Sequence, residues 1–155
     1  MKEKFMAFIK PMNTSYSFKP VRLKAVLAHA DEKGKVKLED IVDYFIDFYE
    51  DRRDKGLIVE KERSIYARGD YTRKDVERNI LSNPFKRFED MRFMKRCRDV
   101  EYVEFNHHVF KRLTEEEKRW MVGYCDEKLE EYLKRLQDNI HLSDKREFKL
   151  NYLKY

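Results

Sequence analysis

Arg73, Lys74 and Arg78 stand in a stretch, 72–82, whose apolar residues Val76, Ile80 and Leu81 recur at helical spacing. The three cations fall outside that apolar stripe. Lys74 and Arg78 are four residues apart and like-charged, which costs roughly 0.2–0.5 kcal/mol on an isolated helix. A bound anion relieves that repulsion, and neutralising several phosphates gives salt-dependent binding. The competing reading is a solvated face, with Asp75 and Glu77 as local partners. Lys86 and Arg87 follow, between Phe85 and Phe88. Lys95, Arg96 and Arg98 then flank an expected hairpin turn. Cations at a turn suit phosphate contact, and arginine can enter a narrow minor groove. The same charges also guard an edge strand against sheet-to-sheet aggregation.

Other constellations carry less chemistry. His107-His108 invites a metal reading, but no Cys-x-x-Cys or His-x-x-x-His companion accompanies it, so no metal or cofactor is expected. Asp54 with Glu60-Lys61 resembles a nuclease carboxylate cluster only in residue type; its spacing is wrong. Tyr66 and Tyr71, around Arg68, are open to stacking on unpaired bases, whereas Phe85 and Phe88 have core spacing. Arg68-Gly69-Asp70 spells an adhesion tripeptide, read as coincidence. No catalytic residues are assigned, and no enzyme is expected.

The charge balance supports an anionic partner by its distribution. The chain has 35 Lys plus Arg and 30 Asp plus Glu, a net of +5. Residues 68–98 hold ten basic and five acidic residues, while 38–54 hold seven acids against Arg52 and Arg53. Such asymmetry predicts one face that meets an anion and another kept from it. Charged residues reach 42% of the 155 positions and mean hydropathy is -0.90, near the disordered range. Aromatics at 14%, with four Gly and three Pro, predict an ordered domain instead. Cys97 and Cys125 make no disulfide framework and are expected reduced, which fits a cytoplasmic chain. The apolar run Phe5 to Ile9 is too short for a signal peptide, and no run approaches the roughly 20 residues that span a bilayer.

The elements that must position these residues are mostly helical. Residues 1–16 form an N-terminal arm to which no element is assigned. A helix starts near Phe18-Lys19-Pro20 and buries Leu23, Val26, Leu27 and Ala30. Lys35-Val36-Lys37 is a minimal strand. A second helix runs from Leu38 to about Arg53 and stops at Lys55-Gly56. Leu57-Ile58-Val59 reads as a short strand and the remainder to Tyr71 as an ordered loop. Thr72 with Asp75 opens the next helix as a capping-box-like start. Asn83-Pro84 opens another turn, with Phe85, Phe88 and Met91 inward. Arms 92–97 and 100–105 then form the hairpin. Thr114 with Glu117 caps a long helix, 113–141, and residues 142–155 are a basic, aromatic tail. Trp120, Tyr124, Leu129, Tyr132 and Leu136 line one side of that helix and are the expected surface for a protein partner or a second copy.

A hairpin directly after a three-helix core is the winged-helix arrangement, so the fold class is mainly α with a small β-hairpin: a winged-helix-like domain over 17–112. The 57–71 stretch is longer than the usual tight turn between the second and third helices. The chain also resembles a C-terminal accessory module of bacterial helicase-type restriction and phage-defence proteins. Ser17-Phe18-Lys19-Pro20-Val21 with Leu23-Lys24-Ala25-Val26-Leu27 carries the resemblance. So do Asp43-Tyr44-Phe45-Ile46-Asp47-Phe48-Tyr49 with Arg52-Arg53, and Asn79-Ile80-Leu81-Ser82-Asn83-Pro84 with Phe88. It covers about 17–136 and brings no catalytic motif; a glycine-rich phosphate loop is absent from this chain. The resemblance implies an accessory nucleic-acid-binding or partner-binding role. The expected function is non-catalytic binding of duplex DNA through 72–82 and the hairpin. The alternative is a protein–protein adaptor within a helicase or defence assembly.

Overall fold

A computed structural model describes residues 2–10, 16–82, 93–97 and 102–153; side chains at 8, 95–97, 102, 104 and 140–153 are outside the description. The fold is mainly helical. The first helix, α1 (Lys2–Ile9), lies in the segment to which the sequence alone assigns nothing. Phe5 and Ile9 are fully buried, and the Phe5 ring meets Phe93 and Phe105 edge-on, both at 4.9 Å between centroids.

Helix α2 (Phe18–His29) is central. It buries Pro20, Val21, Arg22, Leu23, Ala25 and Val26, a wider set than one stripe. Its neighbours explain this, because α2 packs against both α3 (Leu38–Asp54) and the long C-terminal helix α7 (Glu115–Leu153). Between α2 and α3, the Asp31 carboxylate accepts from the Lys33 and Lys35 amides, both at 2.9 Å. That side-chain turn launches β1 (Lys35–Lys37), whose Val36 points inward between two exposed lysines.

Helix α3 has Glu39 and Asp40 in its first turn and Arg52 and Arg53 in its last, each sign opposing the local end of the helix dipole. It ends where Lys55-Gly56 predicts. Gly56 has φ 69°, its amide donates to the Arg53 carbonyl, and the Leu57 amide donates to the Arg52 carbonyl at 2.9 Å. The strand expected at 57–59 does not form. The Leu57 amide and Ile58 carbonyl are both spent on Arg52, the latter through its Nε at 2.6 Å.

A single helical turn, α4 (Ile65–Arg68), precedes α5 (Arg73–Ile80). The capping box at α5 is complete. The Asp75 amide donates to Thr72 Oγ1 at 3.2 Å, and the Thr72 amide donates to the Asp75 carboxylate at 2.9 Å. We expect Thr72→Ala to cost about 1 kcal/mol, read as a lower thermal midpoint. The Thr72 N–H holds the Asp75 carboxyl below its ordinary 3.8. Its contribution is therefore full above that value and is lost as the pH falls through the lower folded one, so the stability lost in Asp75→Ala should shrink in acid, whereas the Thr72→Ala loss, which leaves the residue-72 amide in place, should not.

Strands β2 (Met94–Cys97) and β3 (Tyr102–Phe105) confirm the expected ribbon, and β3 also pairs with β1. The antiparallel sheet has the order β1-β3-β2, with Val36 opposite Val103 and Met94 opposite Phe105. Helix α6 (His107–Arg112) follows, capped by Asn106. Thr114 and Glu117 form the predicted reciprocal cap at the start of α7. That helix does not stop near residue 141. It runs 39 residues to Leu153, about 58 Å at 1.5 Å per residue. The helical turn expected from Asn83-Pro84, with Phe85, Phe88 and Met91, lies outside the described residues.

Candidate functional site

Helix α5 turns only Val76 and Ile80 into the core, which leaves Arg73, Lys74 and Arg78 exposed, as its periodicity predicts. Two of the three have carboxylates in reach. Arg73 Nη1 donates to Asp43 of α3 at 2.7 Å. Arg78 Nη1 lies 3.9 Å from Asp75, the outer limit of an ion pair. The Arg73–Asp43 pair is open to water, with the two side chains 58% and 57% exposed. Lys95 and Arg96 take their places on the edge strand β2, opposite Glu104 and Val103. Their side chains, and all of Lys86, Arg87 and Arg98, lie outside the described residues.

Tyr66 is not open to stacking on bases. Its ring is fully buried, stacked on Tyr49 at 4.1 Å, and its hydroxyl donates to Asn79 at 2.8 Å. Tyr71 is half-buried and donates to Glu50. Burial raises both phenols above their ordinary value. The adjacent Arg53 donates to the Tyr66 carbonyl, and its guanidinium lies 3.0 Å from where a Cβ on Gly69 would stand.

Glu60 has nothing to do with a nuclease cluster. It is buried, and four donors converge on its carboxylate: the Ser17 amide (2.9 Å), Ser17 Oγ, the Lys61 amide (2.8 Å) and the Tyr132 hydroxyl. Ser17 spends its only hydroxyl proton on Glu60, so Tyr49 is the donor in the 2.6 Å Ser17–Tyr49 bond. Ser17 caps α2 with no bond from its side chain for this reason. Burial raises the Tyr49 and Tyr132 phenols, which keeps them protonated donors. The hub thus joins α2, α3, the 57–64 segment and α7. Nothing local in the sequence signals the hub, because Ser17, Tyr49, Glu60 and Tyr132 stand far apart along the chain.

Among the described residues Arg22 is the other buried charged group. Its Nη1 donates to the Ile80 carbonyl at 3.0 Å, at the C-terminal end of α5. Burial lowers the guanidinium to about 9. The group stays charged at neutral pH and complements the helix end.

The C-terminal helix corrects part of the expected docking stripe. Leu129 and Tyr132 are buried against the body, alongside Met121, Cys125 and Leu133. Trp120 is 41% exposed, Tyr124 is partly covered, and its hydroxyl donates to the Lys10 carbonyl. Leu136 is half-buried. Burial pushes the free Cys125 thiol up to about 12. A groove of about 480 Å³ lies beside this helix, with an apolar floor of Phe48, Leu57, Ile58, Leu129 and Leu133. Its rim mixes both signs, and Lys24 is already paired with Asp126. His107 and His108 are exposed at the start of α6. Among the described residues, no three His, Cys, Asp or Glu side chains are placed to share a metal ion. None of their helices is long and apolar enough to cross a membrane.

No family model, curated protein or solved structure matches this chain.

Proposed function

We propose that this chain is a non-catalytic module of winged-helix type that binds duplex DNA through α5 and the β2–β3 ribbon. One observation carries the reading. The order α2, β1, α3, the single turn α4, α5, β2, β3, with β3 between β1 and β2, is accompanied by an α5 that offers Arg73, Lys74 and Arg78 to solvent. In helix-turn-helix relatives of this arrangement the equivalent helix enters the major groove, and phosphate contacts fix its register. The Arg73–Asp43 pair does not oppose the role. Exposed ion pairs are worth roughly 0–1 kcal/mol, so a phosphate that releases condensed counterions competes with it readily.

The resemblance to helicase-associated modules supports an accessory role in a larger DNA-processing or defence assembly. Ser17, Phe18 and Tyr49, among the residues that carry it, pack together in the interior. The resemblance therefore speaks to the fold and not to a contact surface. A second reading, the protein adaptor, is favoured by the groove beside α7. Titration of labelled duplex separates the two. Neutralisation of about four phosphates predicts an affinity loss of roughly a hundredfold between 50 and 200 mM salt. Failure to bind at 50 mM salt favours the adaptor.

A further inference from the structure

Trp120, the only tryptophan, sits on the outward side of α7. One face of its ring is stacked on Tyr124, at 5.1 Å and 17° between planes. Tyr124 is in turn fixed by its bond to Lys10 and carries Lys128 Nζ 5.5 Å above its ring. The indole is 41% exposed. Glu116, Trp120, Gly123, Glu127 and Glu131 follow at spacings of four, three, four and four, so they share one side of the helix. All five are exposed. Of the three glutamates, Glu131 has Lys128 at 3.6 Å.

Gly123 lies on the same side, one turn from Trp120. It lies inside a helix, where glycine is the poorest residue after proline. A Cβ there would meet nothing within 4 Å. The fold itself has no use for the missing side chain. A flat gap directly beside an exposed indole suits a group that approaches the helix backbone from outside.

We infer that this side of α7 docks a cationic segment of a partner protein, with an arginine over the Trp120 indole next to Glu116 and a further basic residue of the segment toward Glu127, two turns on. The chemistry is specific to a cation. The indole face attracts guanidinium, and the flanking carboxylates meet the segment's charges while repelling a phosphate backbone. Arginine stacks and pairs at once, which lysine does not. The site is independent of the DNA reading, since α2 and α3 lie between α7 and α5 in the packing order.

Octa-arginine is the probe, and emission from the single tryptophan is the readout. The expected result is saturable quenching, weaker with octa-lysine. Glu116→Gln with Glu127→Gln should weaken binding about tenfold. Gly123→Leu should weaken it several-fold while raising the thermal midpoint, which excludes misfolding as the cause. Asp40→Asn with Asp47→Asn, on the acidic side of α3, should change nothing. Equal weakening by the α3 pair, no effect of the α7 variants, or no quenching at all overturns the inference. So does emission that depends on protein concentration without peptide, which would assign the face to a second copy.

Discussion

Glu60→Ala should lower stability by about 3–5 kcal/mol, the largest loss expected from a single polar truncation among the described residues. The carboxylate is 3% exposed and receives the Ser17 and Lys61 amides together with the Ser17 and Tyr132 hydroxyls. Truncation leaves several buried donors without an acceptor, at roughly 1–3 kcal/mol for each that finds no water. At about 2–4 °C per kcal/mol for a chain of this size, the thermal midpoint falls on the order of 10 °C. Tyr132→Phe removes one donor and keeps the ring, so it should cost only about 1 kcal/mol. In a double-mutant cycle the two losses should fall well short of additive, because both act on one bond. Additive losses from thermal or urea unfolding would mean that the hub does not tie α7 to the body.

Gly34→Ala should cost about 2–5 kcal/mol, although it adds only one methyl to a tight turn. Gly34 has φ +84°, and a Cβ there would stand 3.2 Å from the Phe105 carbonyl and the Phe110 ring. The left-handed backbone alone costs about 1–2 kcal/mol for a residue with a Cβ, and crowding of a packed interior adds about 1–3. Gly56 provides the control. Its φ is +69° but a Cβ would meet nothing within 4 Å. Gly56→Ala should therefore lose only the backbone term, about 1 kcal/mol. Equal urea midpoints for the two variants would show that the β1–β3 corner is looser than its contacts imply.

The legible parts of this fold are those whose determinants are local. Val36 between lysines, just after Gly34, marks a strand three residues long, and α3 follows from its apolar period. Both capping boxes stand in the sequence as Thr72-x-x-Asp75 and Thr114-x-x-Glu117. The illegible parts depend on partners far along the chain. Phe5 is core because Phe93 and Phe105 close over it, and nothing in residues 1–16 announces those rings. Glu60 and Arg22 read as surface charges until Ser17, Tyr132 and the end of α5 are brought to them. Tyr66 looks open because its acceptor, Asn79, is on another helix.

The candidate surface divides in the same way. Periodicity alone separates Arg73, Lys74 and Arg78 from Val76 and Ile80, and the structure leaves all three cations exposed. It could not show Asp43 reaching Arg73 across from α3. On α7, periodicity identified an apolar side but not which half of it the body would cover. Leu129 and Tyr132 went inward, and Trp120 stayed out.

The central claim is that these α5 cations meet phosphates, and the salt dependence of duplex binding tests it most directly. Log affinity against log salt should be compared for the unaltered chain and for Arg73→Ala, Lys74→Ala, Arg78→Ala combined. At about 0.9 per lost phosphate contact, the slope of the triple variant should be shallower by about 2.7. Identical slopes for the two proteins would contradict the account.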